Sequence, residues 1–297
     1  MSKTYWGEAG YLALLEDILE FGVDIPDRTG VGCRALFDAT LVFDEGVSTL
    51  STVRSTPLRF SFEEMWMFLR GETNTKILEE KGIYFWQPQT SRKFLDSRGL
   101  FYYEEGDLVR AYSSQWREFG AAAGMRSVDQ LKKLLTTMEN DRYSRRMVVS
   151  LWNPAEEHLM PLTPCWWASQ YVVLPDKETG EDTLHVKLTN RSLDALFGCM
   201  FAIQQYSLLQ ICLCKMFGFK LGKISASLSH VHLYQDQIEY TKELLTREPT
   251  YKSGEIKINK DLHNLEDLLS LQWEDIEVVG HEVNKTPFKT PKPRMAT

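Results

Sequence analysis

The sequence predicts an α+β fold in a single domain. Helix-like segments, with apolar residues three or four positions apart, are mixed with strand-like segments that alternate apolar and polar residues. These segments do not follow the regular strand–helix–strand rhythm of a parallel α/β protein. The chain has 297 residues, with no internal repeat and no low-complexity linker. We therefore expect residues 1–297 to form one domain with a sizeable core.

The first part of the chain contains a predicted helix on each side of a long predicted strand. In the second helix Ser61 stands where an N-cap is expected, Glu64 follows three positions later, and Gly71 is a typical helix end. The predicted elements are an N-terminal helix with apolar Leu12, Leu15, Ile18 and Leu19, a "PDRTG" turn at 26–30, a strand at 33–43 and a helix at 61–71.

The second part is predicted to contain a β-hairpin and a long apolar helix. The stretch "DKETGED" is typical of the hairpin turn. Glutamine and lysine interrupt the longest apolar region, which favours a buried core helix over a membrane span. The predicted elements are a helix at 127–139, strands at 145–152, 167–174 and 183–189, a helix at about 196–217, a strand near 223–229, a helix near 232–245 and a tail at about 283–297.

The charge and the cysteines narrow the class of function. The net charge of -7 argues against a general nucleic-acid binder, because such a protein presents a basic face. No segment resembles a signal peptide, and the five cysteines form no CxxC pair. We therefore expect reduced thiols and a cytoplasmic location, in the host cytoplasm if the protein is viral. We expect neither a nucleic acid nor a membrane as a partner.

Cys165 is the candidate nucleophile of the sequence. It follows a proline and precedes two tryptophans in "LTPCWWASQYVV". A single cysteine on a strand is more often a buried packing residue, and a nucleophilic thiolate needs positive charge nearby. Two segments offer that charge: Arg145 and Arg146 at the mouth of one strand, and Arg191 with Ser192 after the return strand of the hairpin. Only their combination favours a nucleophile.

The sequence resembles the thymidylate synthase family along nearly its whole length. The resemblance implies the fold of that family, in which a large mixed β-sheet, surrounded by helices, packs back-to-back against its twin in a homodimer. The matching stretches occur in the family's order and include "DRTGVGCRALF", "EEMWMFLRGETNTKILEEKGI", "EEGDLVRAYSSQWREFG", "RRMVVSLWNP", "PLTPCWWASQYVV", "NRSLDALFG" and "HVHLYQDQIE".

The resemblance implies covalent catalysis on a pyrimidine nucleoside monophosphate. The thiolate of Cys165 would add to C6 of the base, and C5 would then attack the one-carbon unit of 5,10-methylenetetrahydrofolate. Glu64 matches the family's general acid/base carboxylate, although its other interpretation is a charge in the first turn of a helix. Tyr112 matches the tyrosine implicated in removing the proton from C5.

The resemblance also implies the binding residues. Arginine suits a phosphate because its planar fork makes charge-assisted bonds, and the partner subunit would donate two of the arginines. Two histidines in "HVH" are weak evidence for a metal, and we assign none. The implied residues are Arg28, Arg191, Ser192 and the partner's Arg145 and Arg146 for the phosphate; His232 and Tyr234 for the sugar; and Trp86, Asp194, Gly198 and Phe201 for the folate.

The sequence departs from the family at the residues that would contact the base. Ala202 occupies the position where the synthases carry asparagine and the cytosine hydroxymethylases carry aspartate. Trp166 stands where the synthases have histidine, and Gln89 stands near the position of another active-site asparagine. These changes cluster at the base rather than at the phosphate. They predict retained chemistry at C5 with altered base selection, altered outcome, or both.

Three functions follow from these observations. The preferred one is a folate-dependent hydroxymethylase or methylase of a cytosine nucleotide, dCMP or CMP. The second is an ordinary thymidylate synthase that converts dUMP to dTMP, or a dUMP hydroxymethylase, with water satisfying the edge of the base. The third is an inactive paralogue that binds a nucleotide. Retention of Cys165, Glu64, Tyr112 and Asp194 argues against the third.

Overall fold

A computed structural model describes residues 3–27, 30–122, 124, 126–250 and 252–288. Its first half is mainly helical. The elements in chain order are β1 (Lys3–Trp6), α1 (Gly7–Phe21), β2 (Val23–Ile25), β3 (Cys33–Phe43), α2 (Leu58–Arg70), α3 (Lys76–Glu79), α4 (Gln87–Thr90), α5 (Arg92–Ser97), α6 (Tyr112–Arg117) and α7 (Gln130–Asn140).

The second half contributes most of the strands and the longest helix. Its elements are β4 (Val148–Ser150), β5 (Trp166–Pro175), β6 (Asp182–Asn190), β7 (Leu193–Asp194), α8 (Gly198–Phe217), β8 (Lys220–Tyr234), α9 (Ile238–Leu245), β9 (Glu255–Ile258), α10 (Leu265–Leu269) and β10 (Ile276–Val279). In the described ranges, no helix combines the length and the apolar content that crossing a membrane requires.

A mixed sheet of eight strands organises the molecule. Six strands follow the order β1-β3-β8-β6-β5-β4, with β2 beside β3 and β7 beside β8. The hairpin β5–β6 and the pair β3–β8 are antiparallel, whereas β6 and β8 are parallel. The strands β9 and β10 form a separate two-stranded sheet. The predicted α+β class and the large mixed sheet with surrounding helices are therefore confirmed.

The core lies between one face of this sheet and the helices. Alternate residues of the central strands, such as Tyr171, Leu188 and Ala226, are fully buried, as expected for a face packed against other elements. Helix α8 contacts β6, β7 and β8 and is buried along most of its length. This burial explains its apolar sequence and places its side chains beside the ends of β5 and β6.

Most predicted elements are present. The strand at 33–43 and the hairpin strands are confirmed, as are the N-terminal helix and the long helix, which runs from Gly198 to Phe217. The helix predicted at 127–139 spans Gln130–Asn140, and the strand predicted at 145–152 is limited to Val148–Ser150. The turn at 26–30 and the tail lie partly outside the described residues, at 28–29 and 289–297.

Two local predictions are wrong. Helix α2 begins at Leu58, because the carbonyl of the N-cap residue Pro57 accepts the N–H groups of Phe60 (2.9 Å) and Ser61 (3.3 Å). Ser61 is therefore inside the helix, where its buried hydroxyl bonds to Gln204 Oε1 (3.3 Å) rather than capping the backbone. The predicted end at Gly71 is confirmed by its left-handed φ of 77°.

The second error concerns the predicted helix near 232–245. Strand β8 continues to Tyr234, because the long strand β3 supplies hydrogen-bonding partners as far as the Cys33–Tyr234 pair. Helix α9 begins only at Ile238. His232 and Tyr234 consequently lie on a strand, on which residues two apart point to the same face of the sheet.

The end of α8 provides a test of the backbone. Gly218 adopts a left-handed φ of 71°, and an added Cβ would meet no atom within 4 Å. We expect Gly218→Ala to lower the free energy of unfolding by about 1 kcal/mol through backbone strain alone. Gly218→Asn should cost less, because asparagine tolerates this conformation. Urea unfolding measures both variants, and equal stability of Gly218→Ala and the wild type would contradict this explanation.

Candidate active site

Cys165 is held by its backbone at the start of β5. Its N–H donates to the hydroxyl oxygen of Tyr112 (2.9 Å), and its carbonyl accepts from the N–H of Arg191 (3.0 Å). The side chain is half-buried. All five cysteines lie in the described part of the chain, and none forms a disulfide. The backbone of the candidate nucleophile is thus held by two hydrogen bonds, and its sulfur takes part in no disulfide.

Arg191 brings positive charge to this thiol. Its Nη2 lies 3.9 Å from Cys165 Sγ. The guanidinium is oriented by the carbonyls of Pro164 (3.0 Å) and Thr163 (2.9 Å), and it lies over the ring of Trp152, 5.4 Å from the centroid. A positive charge this close favours a thiolate over a thiol. Ser192 follows Arg191 and is half-buried.

Glu64 is a buried carboxylate on α2. The indole N–H of Trp86 donates to one of its oxygens, and the amide nitrogen of Gln205 donates to the other. Burial raises the pKa of Glu64 to about 7, although both hydrogen bonds act to lower it. A carboxyl with this pKa can release or accept a proton near neutral pH, as general acid/base catalysis requires.

Tyr112 connects the backbone of Cys165 with Trp86, the residue that donates to Glu64. Its ring stacks on Phe68 (centroids 4.8 Å apart) and meets Trp86 edge-on (5.9 Å). Burial raises the pKa of Tyr112 well above its usual value, and the charges of Cys165 and Glu64 act in the same direction. The tyrosine is therefore a neutral hydroxyl at physiological pH. Phe68, Tyr112, Trp86, Glu64 and Gln205 thus form one series of side-chain contacts, which Cys165 joins through its backbone N–H.

Helix α8 contributes Gln205 to this cluster and carries several other residues implied for the site. Ala202 is buried, and its side chain ends at Cβ. Phe201 meets Phe85 edge-on (5.6 Å), and Tyr206 packs against Trp166 (6.5 Å). Trp166 follows the candidate nucleophile on β5 but points into the core, where it is 6 % exposed.

Asp194 lies at the connection from β7 to α8. One carboxylate oxygen accepts the backbone N–H groups of Leu196 and Phe197, both at 3.0 Å. The other accepts from the amide of Gln237 (2.9 Å). Burial raises the pKa of Asp194, although these hydrogen bonds act to lower it. The half-buried Gly198 then begins α8. Asp194 and Gly198, both implied for the folate, therefore lie at the same end of this helix.

His232 and Tyr234 share one face of β8. Their rings meet edge-on at 5.0 Å, and His230 Nδ1 lies 3.2 Å from His232 Nδ1. Burial lowers the pKa of His232 to about 4, so the imidazole is neutral near pH 7 and offers one donor and one acceptor. Among the residues that the structure describes, no three His, Cys, Asp or Glu side chains are grouped to hold a metal.

The two exposed arginines do not reach Cys165 of their own chain. Arg145 and Arg146 precede β4, the edge strand of the sheet. The next residue, Met147, accepts a hydrogen bond from the N–H of Tyr171 (2.9 Å). Tyr171 is six residues along β5 from Cys165, about 20 Å for an extended strand. If these arginines contact a nucleotide at Cys165, it is in another subunit.

Gln89 and Arg28 were also predicted for the site. Gln89 is fully buried in α4 beside the chain segment of Trp86, whose carbonyl accepts its backbone N–H (3.1 Å). Arg28 lies outside the described residues.

Several contributors were not predicted. Gln205 lies three residues after Ala202, so helical spacing was a usable signal for it. Phe68 and Gln237 lack any such signal, because their contacts with Tyr112 and Asp194 join distant parts of the chain.

Comparison with known protein families gives a match over most of the chain. The family model described as thymidylate synthase matches residues 9–291. The match includes every described residue of the candidate site, from Glu64 on α2 to Tyr234 on β8.

The raised pKa of Glu64 predicts a pH-dependent stability. The pKa of Glu64 is about 7 in the folded state, against an ordinary 4.5. The tighter binding of a proton by the folded state therefore contributes its full stability below pH 4.5, and this contribution is lost as the pH rises through 7. Glu64→Gln cannot lose it. Between pH 5 and pH 8 the wild type should therefore lose about 3 kcal/mol of unfolding free energy relative to this variant. Parallel urea titrations of both proteins would contradict this if their difference did not change with pH.

Proposed function

This chain belongs to the thymidylate synthase family and is a folate-dependent C5 one-carbon transferase of pyrimidine nucleotides; we propose that its substrate is a cytosine nucleoside monophosphate, dCMP or CMP. The family uses 5,10-methylenetetrahydrofolate as the one-carbon donor. The observation that carries the proposal is the departure on α8, where a buried alanine at 202 lies three residues before Gln205, whose amide donates to Glu64.

We propose that Cys165 is the nucleophile. Its sulfur forms a bond to C6 of the base, and the electrons of the C5–C6 double bond move toward C5, which becomes the attacking carbon. After C5 has gained its substituent, it loses its proton, and the thiolate leaves C6 to restore the double bond. The contact with Arg191 (3.9 Å) supports this role, because it favours the thiolate as attacking and leaving group.

Glu64 and Tyr112 handle protons in this proposal. Glu64, with a pKa of about 7, exchanges protons with the polar edge of the pyrimidine ring. The neutral Tyr112 hydroxyl, fixed by the N–H of Cys165, relays the proton from C5 by accepting it as its own proton passes to a neighbouring acceptor. Tyr112 contacts both the backbone of Cys165 and the ring of Trp86, which donates to Glu64, and this proximity supports a shared role for the two groups.

The residues present fit a folate. Trp86 and Phe201 supply aromatic surface for flat rings, Gly198 leaves the start of α8 free of a side chain, and the Asp194 carboxylate is an acceptor for ring N–H groups. When bound, methylenetetrahydrofolate supplies the one-carbon unit, together with a hydride if the product carries a methyl group. We propose that these four residues bind it.

A homodimer completes the proposed site. Arg191 and Ser192 bind the 5′-phosphate, along with Arg28, and the partner's Arg145 and Arg146 approach it from across the interface. The 20 Å separation within one chain supports this division. The second face of the large sheet also supports a dimer. Two of its residues, Lys187 and Ser225, are joined by a 3.1 Å hydrogen bond and are only half-buried in a single chain. His232 and Tyr234 bind the 3′-hydroxyl of the sugar.

The product is proposed to carry a 5-hydroxymethyl group, formed when water captures the methylene stage. Alternatively, hydride transfer gives a methyl group. The competing function is conversion of dUMP to dTMP, and the complete catalytic cluster favours it equally, since the departures from the family are confined to the base, at Gln89, Trp166 and Ala202. That cluster also argues against an inactive paralogue.

The substrate is tested directly by product analysis. We expect the protein, incubated with methylenetetrahydrofolate and separately with dCMP, CMP, dUMP and UMP, to modify a cytosine nucleotide, with Cys165→Ala abolishing turnover. Mass spectrometry of the nucleotides separates hydroxymethyl from methyl products. Conversion of dUMP alone would reject the cytosine assignment, and full activity of Cys165→Ala would reject the covalent mechanism.

Subunit mixing tests the shared site. Cys165→Ala and the double variant Arg145→Ala/Arg146→Ala should each be nearly inactive. After subunit exchange, a heterodimer has one site with an intact Cys165 and intact partner arginines, so random mixing should restore about one quarter of wild-type activity. No recovery after verified exchange would place these arginines and Cys165 in the same chain's site, against the proposal.

A further inference from the structure

We propose that Gln205 is the residue that discriminates the pyrimidine base, in place of the side chain that Ala202 lacks. The inference rests on the proposed function and specifies which group in that site recognises the base. Gln205 carries an amide for which the resemblance to the family implies no role. This amide lies against the buried carboxylate of the site and is 6 % exposed.

Helix geometry directs Gln205 toward the space beside Ala202. The two residues are three apart on α8 and therefore share a face. Side chains on a helix lean toward its N-terminus, so a long side chain covers the turn that precedes its own Cα. The carboxamide of Gln205 consequently extends over the turn containing Ala202, which fills none of that space beyond Cβ.

Glu64 fixes which way the amide points. When Glu64 is ionised it only accepts hydrogen bonds, so the amide nitrogen of Gln205 faces it, as the structure has it. The carboxamide oxygen is then turned away from Glu64 and acts as an acceptor. The 4-amino group of cytosine is a donor, whereas O4 of uracil is an acceptor and would be repelled. An amide held in this orientation therefore favours cytosine.

The same hydrogen bond couples base recognition to proton transfer. It is one of two that act to lower the pKa of Glu64 against the effect of burial. Loss of Gln205 should therefore raise this pKa further and move the Glu64-dependent limb of the pH–rate profile to higher pH. A residue that only packed the core would leave this limb unchanged.

The test measures discrimination rather than activity alone. Steady-state kcat/KM is determined for the cytosine and uracil nucleotides of whichever sugar the wild type uses. Gln205→Met, similar in length but without the amide, should reduce the cytosine-to-uracil ratio by at least about tenfold, because an apolar side chain cannot distinguish a donor from an acceptor.

The matched control is Gln210→Met on the same helix. Gln210 is also buried, and its amide donates to the carbonyls of Leu184 (2.7 Å) and Gly222 (3.1 Å), outside the site. Its replacement should lower stability but leave both the base ratio and the pH–rate profile as in the wild type. A changed base ratio in Gln210→Met would reject a specific role for Gln205.

A second variant keeps the proposal testable if Gln205→Met does not fold. Gln205→Asn withdraws the amide by one methylene and should also reduce the ratio. Adding Ala202→Asn to either variant should restore discrimination, now in favour of uracil. An unchanged ratio and pH profile in a folded, active Gln205 variant would overturn the inference. Absence of turnover of any nucleotide by the wild type would instead overturn the proposed function.

Discussion

The buried carboxyl of Glu64 is the constraint on which the arrangement of the site depends. Burial of a carboxylate costs free energy unless hydrogen bonds offset it, and here two N–H donors offset part of that cost. These donors come from Trp86, before α4, and from Gln205 on α8, whereas Glu64 itself lies on α2. One functional carboxyl thus requires three elements to pack together, and their packing brings the aromatic cluster into place.

Cys165 depends on a similar convergence. Its position is set by Tyr112 from α6 and by the backbone of Arg191, which follows the paired strand β6. The hairpin β5–β6 holds the thiol and the guanidinium together because the strands that carry them are hydrogen-bonded neighbours. The sheet therefore supplies the charge beside the thiol, and the helices supply the groups proposed to transfer protons.

Local sequence patterns predicted the strands and long helices well, because alternation and helical spacing reflect burial of one face. They failed once at a nearby helix start and twice where long-range contacts decided the outcome. Ser61 resembled an N-cap, yet Pro57 started the helix earlier, and β3 extended β8 through Tyr234. The contact of Gln205 with Glu64 could not be predicted either, since the packing of α2 on α8 joins residues 141 positions apart.

The cluster around Cys165 and Glu64 is proposed to substitute C5 of a pyrimidine nucleotide through an adduct at C6. Release of tritium from C5 of labelled dCMP, CMP, dUMP and UMP tests it directly, because any C5 product requires loss of that hydrogen. We predict release from a cytosine nucleotide in the presence of methylenetetrahydrofolate, and none with Cys165→Ala. Release that persists in Cys165→Ala, or no release from any of the four nucleotides, would contradict the account.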